Sequence, residues 1–179
     1  MKNKSLHRLT TCALMAALLC VLGPLSVPIG PIPITLATLV IYLMTYIVGT
    51  WDATISVLLY LLLGAVGLPV FSGMTGGLGK LLGMTGGYIV GFLVSALIMW
   101  AMEAIPGSRK WVLPLSMVLG LIACYAFGTA WFLVVYTRAK GAISLAAVLG
   151  MCVIPYIIPD IIKIVCALVL TRILKRFVK

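Results

Sequence analysis

Near the C-terminus the chain reads Cys152-Val153-Ile154-Pro155-Tyr156-Ile157-Ile158-Pro159-Asp160-Ile161-Ile162-Lys163-Ile164-Val165. This apolar stretch contains two charged side chains, Asp160 and Lys163, which are three residues apart and so share one face of a helix. A charge at bilayer depth costs roughly 2.5–3.5 kcal/mol, so such residues usually pair with each other or face a polar cavity. The stretch therefore predicts a buried helix that carries an ion pair and lines a binding site.

The composition indicates that the chain is embedded in a membrane. Of its 179 residues, 64% are hydrophobic and only 9% are charged, and the mean hydropathy is +1.28. One membrane span takes about 20 apolar residues, so this length accommodates about six spans with short loops. We therefore predict an all-α integral membrane protein with a single six-helix domain over 1–179, with spans at about 6–22, 34–49, 52–67, 85–105, 111–135 and 152–174.

The distribution of charge predicts an orientation and argues against nucleic acid as a partner. The formal net charge is +10, but the basic residues lie at the ends of apolar runs and form no stripe with interleaved aromatic residues. If the N-terminus is inside the cell, most basic residues fall on the cytoplasmic side, which predicts that both termini are cytoplasmic. The inner set is Lys2, Lys4, Arg8, Arg109, Lys110, Arg172, Lys175, Arg176 and Lys179, and the outer set is Lys80, Arg138 and Lys140.

Two predicted outer loops are apolar and rich in proline or glycine. The first, 23–33, contains Pro24, Pro28, Pro31 and Pro33, which should make it stiff and extended because proline fixes φ. The second, 67–88, carries the sequence Gly-Met-Thr-Gly-Gly twice. Irregular backbone at membrane depth is tolerated only against protein or water, so we predict that both loops pack over a cavity.

The glycine-rich loop does not match a nucleotide-binding motif. Met74 stands where a Walker loop needs glycine, and the residue after Lys80 is Leu81, which has no hydroxyl for magnesium. Two interpretations of the glycines stay open. The spacing Gly83-x-x-x-Gly87-x-x-x-Gly91 favours close helix packing, and bare backbone at Gly86 and Gly87 permits the close approach of a bound ligand.

Aromatic residues near the outer ends of the predicted fourth and fifth spans also have two interpretations. Tyr88, Phe127 and Trp131 belong either to an aromatic belt at the lipid headgroups or to the wall of a pocket for an organic ligand. Phe127 and Trp131 are about one turn apart, so they share a helix face.

A small-residue face on the first span is formed by Ala13 and Ala17, which are four residues apart. Small residues at this spacing let a second helix approach closely. The partner helix belongs either to this chain or to another subunit.

The other polar residues do not indicate catalysis. Asp52, Glu103 and Asp160 lie on three different predicted spans, so they do not form the paired carboxylates of a Mg²⁺-dependent enzyme. Asp52 is placed to cap the third helix. His7 is the single histidine and has no neighbouring cluster of Asp, Glu or Cys, so we propose no metal site and no catalytic residue.

Five segments in this order resemble the BioY family, the substrate-binding S components of energy-coupling factor (ECF) transporters for biotin. The resemblance covers nearly the whole chain, and one departure is Met84, where proline is common in relatives. The segments are Pro28-Ile29-Gly30-Pro31-Ile32-Pro33-Ile34-Thr35, Gly67-Leu68-Pro69-Val70-Phe71-Ser72-Gly73, Thr85-Gly86-Gly87-Tyr88-Ile89-Val90-Gly91-Phe92, Gly128-Thr129-Ala130-Trp131 and Pro155-Tyr156-Ile157-Ile158-Pro159-Asp160-Ile161-Ile162-Lys163.

The resemblance implies a biotin-binding transport protein in a prokaryotic plasma membrane, not an enzyme. It implies a six-helix bundle with a vitamin pocket near the outer face, and biotin as the transported substrate with no cofactor. Asp160 would accept a hydrogen bond from a ureido N–H, and Lys163 would donate to a ligand oxygen. The residues expected to bind biotin are Asp160, Lys163, Tyr88, Gly86, Gly87, Phe127, Trp131 and Phe71.

The resemblance also implies partners. Ala13 and Ala17 would form the face that docks on the transmembrane coupling subunit of an ECF module, which also contains two ATPase subunits. The lipid bilayer is the other partner, and nucleic acid is not expected.

Other functions remain open from the sequence. The chain could be an S component for a different vitamin or a purine-like metabolite, which competition binding would distinguish. It could be an intramembrane enzyme such as a lipid transferase, although such enzymes need paired carboxylates or a His/Ser nucleophile system. A scaffold subunit without a ligand would leave the buried charge pair without a purpose.

Overall fold

The computed structural model describes residues 4–105 and 109–174. Of the basic residues that predict the orientation, Lys2, Lys175, Arg176 and Lys179 lie outside the described residues. The elements in chain order are α1 (Lys4–Leu22), β1 (Ser26–Ile29), β2 (Ile32–Thr35), α2 (Ala37–Ile47), α3 (Thr50–Val66), α4 (Leu78–Leu82), α5 (Gly86–Glu103), α6 (Arg109–Lys140), α7 (Leu145–Cys152) and α8 (Ile154–Leu174).

Length and exposure of the helices identify an integral membrane protein. Segments of α1, α5, α6 and α8 are long and apolar enough to cross a membrane, and α2 and α3 are shorter apolar helices. Large apolar side chains cover the outer surface, including Val66, which is 88% exposed, and Ile158, which is 71% exposed. Soluble monomers rarely expose large contiguous apolar patches. A bilayer removes these side chains from water, which agrees with the predicted all-α membrane fold.

Helix boundaries depart from the predicted spans in three places. The second helix begins at Ala37, not at 34, because the preceding residues form a strand. The predicted fifth span, 111–135, corresponds to α6, which begins at Arg109, continues through Pro114 and ends at Lys140. The sixth predicted span is broken at Val153, so Cys152 ends α7 and α8 begins at Ile154.

The proline-rich loop folds as a β-hairpin. Strand β1 pairs antiparallel with β2, with Ser26 opposite Thr35 and Ile29 opposite Ile32. Gly30 has φ +74° in the turn, a conformation that favours glycine. The loop is extended, as the prolines predict, but its pairing was not predicted. An isolated two-stranded hairpin is at best marginally stable in water, so this one depends on the helices beneath it.

Close packing of α5 on α6 depends on glycine. A Cβ at Gly87 would lie 2.2 Å from Trp131 Cβ, and a Cβ at Gly91 would lie 2.8 Å from Cys124 Sγ. From the other helix, a Cβ at Gly128 would lie 2.3 Å from a ring carbon of Tyr88. Of the two interpretations of the glycine spacing, the close-packing one is confirmed at Gly87 and Gly91.

The predicted capping role of Asp52 is wrong. The N-cap of α3 is Gly49, and Asp52 lies in the first helical turn. Its carboxylate pairs with Arg8 of α1, with Nη2 and Oδ1 2.5 Å apart. A carboxylate in the first turn is favoured by the helix dipole, so Asp52 is stable there without capping. The pair joins α1 to α3.

Gly87→Ala should destabilise the protein because the new Cβ would overlap Trp131. Overpacking of this kind costs about 1–3 kcal/mol, which we expect to appear as a lower thermal unfolding temperature in detergent. Gly150→Ala is the matched control, since a Cβ there would meet nothing within 4 Å. Equal unfolding temperatures for the two variants would contradict the role of Gly87 in helix packing.

Candidate functional site

A cavity of about 440 Å³, including its open mouth, lies between β2, α2, α5, α6 and α8. The walls are largely apolar, with Ile34, Phe92 and Leu121 among the lining residues. Apolar walls with a few convergent polar groups are typical of sites for small organic ligands.

The polar floor of the cavity is built around Asp160, which is 7% exposed. Lys163 Nζ donates to Asp160 Oδ1 at 2.8 Å, one turn along α8, as the sequence spacing predicts. Tyr125 Oη of α6 donates to Asp160 Oδ2 at 2.5 Å. The carboxylate is therefore held by one charged and one neutral donor. Each of its oxygens keeps a lone pair for a further donor.

Tyr156 attaches the hairpin to α8 above this floor. Its hydroxyl accepts from the Ile32 N–H at 3.3 Å and lies within hydrogen-bonding distance of the carbonyl oxygens of Ile29 and Ile32. Tyr156 also lines the cavity, together with β2. The first apolar loop is thus the cover of the cavity and is fixed by a buried phenol.

A second cavity of about 320 Å³ adjoins the first. The walls of both contain Ile32, Pro33, Thr35, Tyr88 and Phe92. Ser72, from the glycine-rich loop, lines the second cavity. The two apolar loops therefore lie against adjoining cavities, which is the arrangement their composition predicts.

Three predicted site residues line the main cavity: Asp160, Lys163 and Tyr88. The Tyr88 hydroxyl is 2.9 Å from Thr129 Oγ1, so the ring is fixed between α5 and α6. These three residues come from two helices that are distant in sequence. The fold therefore brings together the charge pair and one of the predicted aromatic residues.

The other predicted site residues do not line either cavity. Trp131 packs on Gly87, and its Nε1 donates to the Gly83 carbonyl at 3.1 Å. Phe127 lies beside Trp131, with ring centroids 6.2 Å apart, and is 38% exposed. A Cβ at Gly86 would lie 1.6 Å from the Leu81 carbonyl oxygen. These positions are used for packing, and ligand contact at them stays a prediction.

Phe71 is also placed away from the main cavity. It is fully buried, packs edge-on against Tyr60 with centroids 5.5 Å apart, and fills the space left by Gly64. It holds the glycine-rich loop on α3. Its predicted contact with biotin likewise stays a prediction.

Four hydroxyl-bearing lining residues were not found from the sequence: Thr35, Thr38, Tyr125 and Tyr156. Tyr156 is four residues before Asp160 and so shares its helix face, a signal that could have identified it. Tyr125 is only two residues from Phe127, on a different face of the same helix. Nothing in the sequence around Thr38 distinguishes it from other hydroxyls in apolar helices.

The outer face of α1 is poorly buried. Ala13 and Ala17 are exposed, whereas Cys12, Ala16 and Leu19 pack inward. The small-residue face therefore points away from the bundle and does not serve packing within the chain. Among residues 4–105 and 109–174, no group of three or more His, Cys, Asp or Glu comes together to hold a metal ion.

Comparison with known proteins identifies a family and a fold. The family model of the BioY family matches residues 1–179. The biotin transporter BioY2 of Lactococcus lactis subsp. cremoris is 39% identical over 91% of this chain and 87% of its own. The biotin transporter BioY of Thermotoga maritima is 34% identical over 96% of this chain and 97% of its own.

A solved structure has the same fold. It is the S-component for biotin from an ECF-type ABC transporter, with a TM-score of 0.81 and 27% identity over 98% of this chain and 94% of that one. The match to the family model over the full length, with relatives above 30% identity, shows that this chain belongs to the BioY family.

Proposed function

We propose that this chain is the substrate-binding membrane subunit of an ECF-type ABC transporter and captures biotin at the outer face for ATP-driven uptake. Similar chains are named biotin transporters, and the similar solved structure is an S-component for biotin. The observation that carries the proposal is the largely apolar cavity whose floor holds the Asp160–Lys163 pair. Family membership favours a transport protein over an intramembrane enzyme.

Biotin complements this cavity chemically. Its ureido N–H groups suit the acceptor-only carboxylate of Asp160, and its ureido oxygen suits the remaining N–H donors of Lys163. Its thioether ring suits the apolar walls, and Tyr88 lines the same space. We expect Gly86, Gly87, Phe127, Trp131 and Phe71 to contribute mainly through the packing that positions Tyr88 and the covering loops.

The proposed location is the plasma membrane of a prokaryote, with one membrane domain over 1–179 and both termini cytoplasmic. The chain carries no nucleotide-binding motif, so energy would come from the two ATPase subunits of an ECF module through its transmembrane coupling subunit. We assign the docking face to Ala13 and Ala17, because both are exposed and a helix can approach them closely.

Purified protein in detergent, stripped of co-purified ligand, should bind one biotin per chain in titration calorimetry, and Asp160→Asn should weaken that binding. The amide keeps the shape but removes the charge that Lys163 and Tyr125 hold in place. Hydrogen bonds to charged groups contribute about 1.5–3 kcal/mol, so we expect a loss of affinity of about 10- to 100-fold.

Asp52→Asn is the matched control, since Asp52 pairs with Arg8 and does not line the cavity. It should bind biotin as the unaltered chain does. Biotin binding by the unaltered chain with no effect of Asp160→Asn would remove Asp160 from the site. No biotin binding by the folded, unaltered chain would reject the proposed ligand.

Ala13→Trp combined with Ala17→Trp should abolish capture of the coupling subunit without changing biotin affinity. Two indoles would fill the space that a docking helix needs, while the cavity lies elsewhere in the bundle. Co-purification of a tagged chain with the coupling subunit measures the effect. Val169→Trp, on an exposed face of α8, is the control and should leave capture unchanged. Normal capture by the double variant would place the docking face elsewhere.

A further inference from the structure

The hydroxyl of Thr38 is an exception among the described residues. Its Oγ1 is buried and makes no hydrogen bond. Several other helical threonines bond back to a carbonyl one turn earlier, as Thr10 does to Leu6, Thr54 to Thr50 and Thr171 to Ala167, and Thr129 bonds to the Tyr88 hydroxyl. Buried polar groups nearly always have a partner, so an unpartnered one in a native protein requires an explanation.

The position of Thr38 supplies that explanation. It lies in the first turn of α2 and lines the same cavity as Tyr125, Asp160 and Lys163. Its i−4 residue, Ile34, belongs to strand β2, so the usual helical acceptor is not in place. The hydroxyl is therefore available to a molecule that enters the cavity.

The side chains of Asp160, Tyr125, Lys163 and Thr38 line one cavity and offer complementary hydrogen-bonding groups. Asp160 keeps free lone pairs, and the Tyr125 oxygen offers only lone pairs once its proton is donated to Asp160. Lys163 keeps two of its three N–H donors after bonding Asp160. Thr38 adds a neutral donor. Two accepting residues and two donating residues match a cyclic urea, which has two N–H donors and one oxygen with two lone pairs.

We propose that Thr38 is a ligand-binding residue whose hydroxyl donates to the ureido oxygen of biotin beside Lys163. This inference rests on the proposed function, because it needs a urea in the cavity. The proposed bond explains both why the hydroxyl has no partner within the protein and why a threonine occupies an apolar wall.

Thr38→Val tests the proposal because it keeps the side-chain shape and removes the hydroxyl. We expect the biotin Kd to rise about 3- to 10-fold, the effect of losing one neutral hydrogen bond. Ligand-free Thr38→Val should unfold at the same or a higher temperature, since no existing bond is lost. Thr38→Ser keeps the hydroxyl and should bind biotin within about twofold of the unaltered chain. Thr171→Val, which removes a buried hydroxyl bonded to Ala167, should leave the Kd unchanged.

A thiourea analogue of biotin identifies the ligand atom. Sulfur replaces the ureido oxygen and is a weak acceptor, so Thr38→Val should change the Kd of this analogue by less than about twofold. Equal biotin affinities for Thr38→Val and the unaltered chain would overturn the proposal while leaving the proposed function intact. An equal loss for biotin and the thiourea analogue would overturn the assignment to the ureido oxygen. Failure of the unaltered chain to bind biotin would overturn both the proposed function and this inference.

Discussion

The burial of one carboxylate constrains the rest of this structure. Asp160 lies in an apolar bundle where an unpaired charge is costly, and leaving a buried ion without its partner costs about 3–5 kcal/mol. Its two oxygens are bonded by Lys163 from its own helix and by Tyr125 from α6. The second bond fixes the register of α6 against α8. Because α6 also packs tightly on α5 through Gly87 and Gly128, the same bond fixes the position of the Tyr88 wall relative to the charge pair.

The cover of the cavity follows from the length of α2. Its 11 residues extend about 16 Å, roughly half of a bilayer core of about 30 Å. The hairpin 26–35 directly precedes α2, and its strand β2 lines the cavity. Irregular backbone at membrane depth must be satisfied by protein or water. Backbone groups of the two strands hydrogen-bond to each other, and the Tyr156 hydroxyl bonds to the backbone at Ile29 and Ile32 near the turn. A short helix and a polar anchor on α8 together keep the hairpin over the cavity.

The sequence predicted the features that depend on local spacing and hydropathy. The Asp160–Lys163 pair follows from a three-residue separation on a helix, and the close approach of α5 to α6 follows from Gly87 and Gly91. Features that depend on tertiary contacts were missed. Arg8 is 44 residues from Asp52, so spacing could not reveal that their pairing replaces helix capping. Spacing also could not reveal that the absence of a Cβ at Gly87 lets Trp131 pack between the helices, and the contact of Trp131 with a ligand stays a prediction. The pairing of β1 with β2 was not predicted because the prolines in this loop indicated only an extended chain.

Hydrogen bonds within the protein already orient the buried carboxylate in the cavity. If Asp160 were bonded to Lys163 alone, its carboxylate could rotate about the Cβ–Cγ bond. A ligand would then have to order the carboxylate at an entropic cost. The bond from Tyr125 removes that freedom before the ligand arrives. Because each carboxylate oxygen accepts one internal hydrogen bond and has about two lone-pair sites, a ligand N–H can bind without displacing Lys163 or Tyr125. The same bonds that make the buried charge tolerable therefore also leave the remaining lone pairs of Asp160 open to N–H donors in the cavity.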